Sequence, residues 1–161
     1  MSENPKVVTA CILVIGDEIL SGRTLVGINT HYVLASNASM TSMALPGAGV
    51  GNFALTAHDG IITDTKSGTS VASTASDARL SIDFGTRRFD TSMTVSAGNL
   101  STQIAAKGTV ESNGKFQSDT FAYPSVISGI VGGKGASEAM YIYQRSFGGQ
   151  YDASGATTWH K

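Results

Sequence analysis

Charge is scarce in this 161-residue sequence: Asp, Glu, Lys and Arg make up 14% of it, against about a quarter in ordinary soluble domains. Eleven basic residues oppose twelve acidic ones, for a net charge of -1. That balance offers a polyanion no long-range attraction, so nucleic acid is not an expected partner. Cysteine is nearly missing. Cys11 stands alone, which excludes an intramolecular disulfide and any zinc site built mostly of thiolates. Long apolar runs are missing too. The longest, Val7 to Ile15 (VVTACILVI), falls far short of the roughly 20 residues a bilayer-spanning helix needs. No transmembrane segment is expected from it. Within that run Val8-Thr9-Ala10-Cys11 superficially matches a lipoprotein cleavage box, but an export signal places its apolar region before the cysteine, whereas here most of it follows. A buried strand is the better reading.

Polarity comes instead from Ser, Thr, Asn and Gln, accompanied by 19 glycines. This mixture belongs to turn-rich β domains, and the length suits one core. Residues 7 to 15 mix β-branched and aliphatic side chains without alternation, as a strand covered on both faces does. From about residue 30 the period becomes two. Leu80, Ile82 and Phe84 alternate with Arg79, Ser81 and Asp83; Phe89, Thr91, Met93, Val95 and Ala97 alternate with Asp90, Ser92, Thr94 and Ser96. A Gly85-Thr86-Arg87 turn joins the two runs into a hairpin. Ile104 to Val110, the Asn113-Gly114 turn, and Lys115 to Tyr123 form the next. Val126 to Val131, Glu138 to Gln144 and Ala156 to His160 continue the series, with His31 to Ala35, Phe53 to His58 and Thr69 to Thr74 as weaker strands.

With almost no helix to cover a sheet, the apolar faces must cover one another. The expected fold is all-β: a small antiparallel up-and-down β-barrel of about eight strands, with an extra N-terminal strand-like segment. Tight hairpins favour the barrel over a sandwich, and closure removes exposed edges. A lipid-facing barrel fits poorly, because one face repeatedly carries Ser, Thr, Asp, Arg and Lys.

Two stretches resemble known families. ARLSIDFGTRRFDTSMTVSA, AAKGTVESNGKF and ISGIVGGKGASEAMYIYQR resemble the small barrel lobes of transferrin-binding-protein-type bacterial surface lipoproteins. The matching positions are Ile82-Asp83-Phe84, Gly114-Lys115-Phe116 and Gly135-Ala136-Ser137-Glu138-Ala139; Ile130-Val131 replaces an aromatic pair of that family. The resemblance covers residues 30 to 161. It implies a non-enzymatic binding or structural module of the bacterial cell envelope or surface, whose partner is a protein or a small, haem- or iron-related ligand. TACILVIGDEILSGRT, residues 9 to 24, is similar to the opening of the molybdopterin-binding domain of molybdenum-cofactor biosynthesis and competence/damage-inducible proteins. That similarity implies molybdopterin as an alternative cofactor, with Gly16, Asp17 and Glu18 at its cleft. The family's later carboxylate and its Gly- and Thr-rich loop have no counterpart here. The domain division expected is a segment 1–29 that is either an appendage or the trace of a fusion, and a barrel domain 30–161.

Chemistry-bearing residues are few. Asp17 and Glu18 are adjacent, so on a strand they face opposite ways; their plain reading is a solvated turn. His31, His58 and His160 are the only imidazoles, and a structural or surface role fits all three. His31 and His58 are weak metal or haem-iron candidates, provided they lie on neighbouring strands. Asp59-Gly60 reads as a turn. No serine occupies a nucleophile elbow, and Arg87-Arg88 reads as solvated charge at a hairpin tip. No catalytic residue is assigned. Tyr141, Tyr143, Phe147, Tyr151 and Trp159 are expected mostly to fill the barrel, with a partner-binding patch as the alternative.

Overall fold

The computed structural model describes the backbone of residues 11–15, 18–24 and 30–36 and the whole of 45–119 and 123–161. All regular structure among them is strand. β1 (Cys11–Ile15), β2 (Glu18–Thr24) and β3 (Thr30–Ser36) form a three-stranded antiparallel sheet in chain order. The second sheet holds β4 (Val50–Asp64), β5 (Thr69–Ala72), β6 (Thr74–Asp83), β7 (Arg88–Ala97), β8 (Leu100–Val110), β9 (Lys115–Ser118), β10 (Ser125–Gly132), β11 (Glu138–Phe147) and β12 (Tyr151–His160). Every neighbour in it is antiparallel, and β12 returns to pair with β4. Eight of these strands therefore close a barrel, with β5 as an extra strand on β4.

Closure explains why β4 is so long. One row of paired residues runs Asp59, Ala156, Ile142, Ser128, Gln117, Thr109, Arg88 and Asp83, then reaches Val50, nine residues back along the starting strand. A barrel of tilted strands requires such a stagger, and the strand that absorbs it must serve two neighbours at different heights. β4 accordingly pairs with β6 through Val50–Phe53 and with β5 through Ile61–Asp64.

Two bulges interrupt the ladder, one within the stretch of β4 between those pairings and one in β6. Against β12, Thr158 faces Ala57 and Trp159 faces Leu55, leaving Thr56 as the extra residue. The side-chain period slips there, so that Phe53 and Leu55 before it and Ile62 after it all pack on the core. β6 slips against β7 between Ser76 and Arg79, where Asp77 adopts a positive φ of 49°. Asp59 and Gly60 consequently lie inside a strand and not in the expected turn. Gly60 is there because an aromatic ring occupies the place of its side chain, as described below.

The interior is filled. Trp159, Tyr141, Phe84, Phe116, Ile62, Leu80, Ile82, Met93, Ile104, Ile127, Val95 and Val131 are its largest fully buried side chains. Phe116 links two rings, with centroids 4.9 Å from Phe89 and 6.3 Å from Tyr141, and Tyr141 stacks on Trp159 at 5.5 Å. These rings are accommodated over inward-facing glycines. A Cβ on Gly129 would lie 2.6 Å from both Phe116 Cζ and Tyr141 Cβ, and one on Gly108 would lie 2.6 Å from Phe89 Cε1. Glycine at these places lets the sheet bend while a ring covers the gap.

The outer wall from β6 to β9 is charged. Asp90 bridges Lys107 at 2.8 Å and Arg79 at 3.7 Å, and Arg88 reaches Asp119 at 2.8 Å. A wall of this kind does not face lipid tails. Among the described residues no helix is long and apolar enough to cross a membrane.

Candidate functional site

The C-terminal aromatic cluster divides in two. Tyr141, Tyr143 and Trp159 are buried, whereas Phe147 and Tyr151 pair across the mouth of the β11–β12 hairpin and remain half-buried. Their ring centroids are 5.6 Å apart. Gly148 and Gly149, both at positive φ, turn the chain between them. Gln150 fixes this turn to the neighbouring hairpin: its carbonyl accepts from Thr65 N and from Thr65 Oγ1, each at 2.9 Å. Gln150 Nε2 donates to Tyr151 Oη at 2.9 Å, and Ser146 Oγ donates to Asp152 Oδ1 at 2.5 Å. Thr65 and residues 146–152 thus line an open groove of about 530 Å³ whose aromatic floor is held by hydrogen bonds.

Beside the groove lies the β4–β5 hairpin. Asp64 accepts the backbone N–H groups of Lys66 at 2.9 Å and Ser67 at 3.4 Å, which closes the turn and holds its carboxyl below its ordinary pKa. All four residues of β5 are exposed, including the large apolar Val71. This end of the barrel therefore offers a rigid aromatic pair, a polar rim and an exposed strand. Those elements suit recognition of another macromolecule.

His58 sits deeper. Its Nε2 lies 2.8 Å from Tyr143 Oη, and the two rings stack with centroids 5.9 Å apart. Tyr143 reaches it across two glycines: its Oη would be 2.6 Å from a Cβ on Gly155, and would also meet one on Gly60. Burial lowers the pKa of His58, with the Asp59 carboxylate acting in the opposite sense. His58 and Tyr143 together close one layer of the barrel. His31 belongs to β3, opposite Arg23 of β2, so the two histidines are not on paired strands. Among the described residues no group of three His, Cys, Asp or Glu converges on a metal-sized space. His160 is exposed, its Nδ1 2.9 Å from the Lys161 carbonyl oxygen.

The remaining sequence candidates also find places. Arg88 is paired with Asp119, while Arg87 takes a positive φ of 56° at its hairpin turn. Gly16 and Asp17 lie outside the described residues; Glu18 opens β2, paired with Ile15. β1 and β2 pair antiparallel, and the described residues contain neither parallel strands nor a helix. The described residues therefore give the molybdopterin-domain similarity no support.

Sequence reasoning did not separate Phe147 and Tyr151 from the buried aromatics. The signal was present: the Gly148-Gly149 pair between them marks a hairpin end, where side chains are covered on fewer sides.

The described residues thus define a closed, filled antiparallel barrel with a charged wall and a half-buried aromatic pair at one end. No family model matches the chain, and neither does any curated protein. Solved structures do match. Transferrin binding protein B (isotype 1) from serogroup B Neisseria meningitidis superposes with a TM-score of 0.53 at 15% identity, over 99% of this chain and 36% of that one. A single mutant of the Haemophilus parasuis Hp5 transferrin binding protein B, a vaccine antigen, gives 0.56 at 14% identity, over 94% and 34%. A double mutant of the same antigen gives 0.51 at 13% identity, over 95% and 36%. The chain spans about a third of the length of these proteins, and at such identity the similarity is one of fold.

Proposed function

We propose that this chain is a non-enzymatic binding module of a bacterial surface protein, and that it engages a protein partner through the end of the barrel built by the β11–β12 and β4–β5 hairpins. The observation that carries this reading is the division of the aromatics. The interior holds Tyr141, Tyr143, Trp159 and Phe116, while Phe147 and Tyr151, packed against that core on a hydrogen-bonded hairpin, stay only half-buried and keep part of each ring open to solvent. Rigid aromatic side chains with little entropy left to lose are the usual anchors of protein interfaces. The neighbours' names supply the first partner to try, since they are transferrin binding proteins.

The test is surface plasmon resonance of the immobilised full chain against transferrin, with Phe147→Ala and Tyr151→Ala beside the parent. Saturable binding that weakens at least about tenfold in both variants, as loss of an anchor worth about 1.4 kcal/mol or more requires, supports the reading. Binding that ignores both substitutions rejects this end as the site. No binding at any concentration rejects transferrin as the partner.

A further inference from the structure

Two side chains are buried on the wrong side of the barrel wall. Met140 and Ala156 are 3% and 1% exposed, yet neither belongs to the interior cluster. Alternation explains this: Tyr141 on β11 and Thr157 and Trp159 on β12 turn inward, so Met140 and Ala156 stand on the outer face. The cross-strand pairs there are Ile130 with Met140 and Ile142 with Ala156. They form an apolar stripe on a wall that elsewhere carries Arg79, Arg88, Asp90 and Lys107. Val126, on the same outer face of β10 but further along it, stays 50% exposed. Something covers one part of the stripe and not the other.

The element in position to do so is β3, which runs beside β11 and β12. Its sequence, THYVLAS, is mostly apolar, as is CILVI of β1, and β2 adds Ile19 and Leu20. A three-stranded sheet of that composition needs an apolar surface to pack on. We infer that the β1–β3 sheet docks on the Ile130, Met140, Ile142 and Ala156 stripe, making barrel and N-terminal strands one folding unit and not a barrel with an appendage.

The test uses the full chain. With methyl-labelled methionine, Met140 is expected to show nuclear Overhauser contacts to amides of residues 30–36, unchanged on dilution and absent from an isotope-filtered mixture of labelled and unlabelled protein. Contacts that appear only in the mixed sample would show a second copy on the stripe, and lack of any contact to 30–36 would show an unattached sheet; either overturns the inference. Met140→Lys should also speed tryptic cleavage after Arg23 by about tenfold or more, because docking is what closes that site, while Val126→Lys leaves the rate unchanged. Equal rates in both variants would contradict the docking. Should Met140→Lys fail to fold, the labelled parent protein still decides.

Discussion

Gly129 offers a sharp test of the filled interior. It faces inward on β10, opposite Tyr141, and a methyl group there would meet the Met140 carbonyl oxygen and lie 2.6 Å from Phe116 Cζ and Tyr141 Cβ. Two of these neighbours are fixed by the β10–β11 ladder. The third, Phe116, is wedged between Phe89 and Tyr141. Forcing a methyl into such a site costs about 1–3 kcal/mol, while alanine recovers roughly 0.5–1 kcal/mol of backbone entropy in a strand. Gly129→Ala should therefore lose on the order of 1–2 kcal/mol, a fall in Tm of roughly 2–8 °C for a chain of this length. Gly47→Ala is the control, since nothing lies within 4 Å of its added carbon; it should remain within about 0.5 kcal/mol of the parent. Thermal melts followed by Trp159 fluorescence compare the two. A Gly129→Ala protein that melts with the parent would refute the packing described for β9, β10 and β11.

Three further outcomes follow from the buried and paired groups. Burial holds His58 neutral below its ordinary pKa of 6.5, so on acidification the unfolded chain binds the proton first; stability is full above about pH 6.5 and declines below it. His58→Gln should flatten that decline in pH-dependent urea melts, and an unchanged slope would count against the burial. Tyr141 is pushed up to about 12 from 10.0, chiefly by desolvation and despite its hydrogen bond with Thr91; its contribution is full below pH 10 and is lost as pH rises from there towards 12. Tyr141→Phe should remove this alkaline loss, read from unfolding curves across that range. Asp90→Asn, which breaks exposed pairs to Lys107 and Arg79, should cost less than about 1 kcal/mol, and less still in high salt; a larger loss in chemical denaturation would mean the wall charges carry more than a solvated role.

Much of the barrel was legible because its strands obey one rule. β8 alternates without interruption and β7 does so apart from the buried Ser92, and Asn113-Gly114 does mark the β8–β9 turn, with Gly114 at a φ of 85° and Lys115 N donating to Asn113 Oδ1. β4 was legible only in part, because the bulge at Thr56 slips the period in mid-strand, and inward glycines remove the apolar signal where a ring from another strand supplies it. β9 stops at Ser118, short of the expected Tyr123. Beyond it Asp119 N bonds the Lys107 carbonyl oxygen and Arg145 reaches across to the Gln103 carbonyl oxygen, contacts that no periodicity reports. The outer stripe did leave a trace: Met140, Tyr141, Ile142 and Tyr143 form an unbroken apolar run, the pattern of a strand covered on both faces. Of the candidate site, residue types were readable and placement was not. Which aromatics a barrel consumes depends on where each hairpin turns.

Closure by β12 on β4 is the feature from which the stagger and the filled interior both follow. Amide hydrogen exchange with cross-strand nuclear Overhauser contacts measures it directly. The closed barrel requires contacts between Gly155 and Gly60 and between Thr157 and His58, with slow exchange along both strands. Fast exchange along β12 without those contacts would mean an open sheet with a free edge, and would contradict the architecture described.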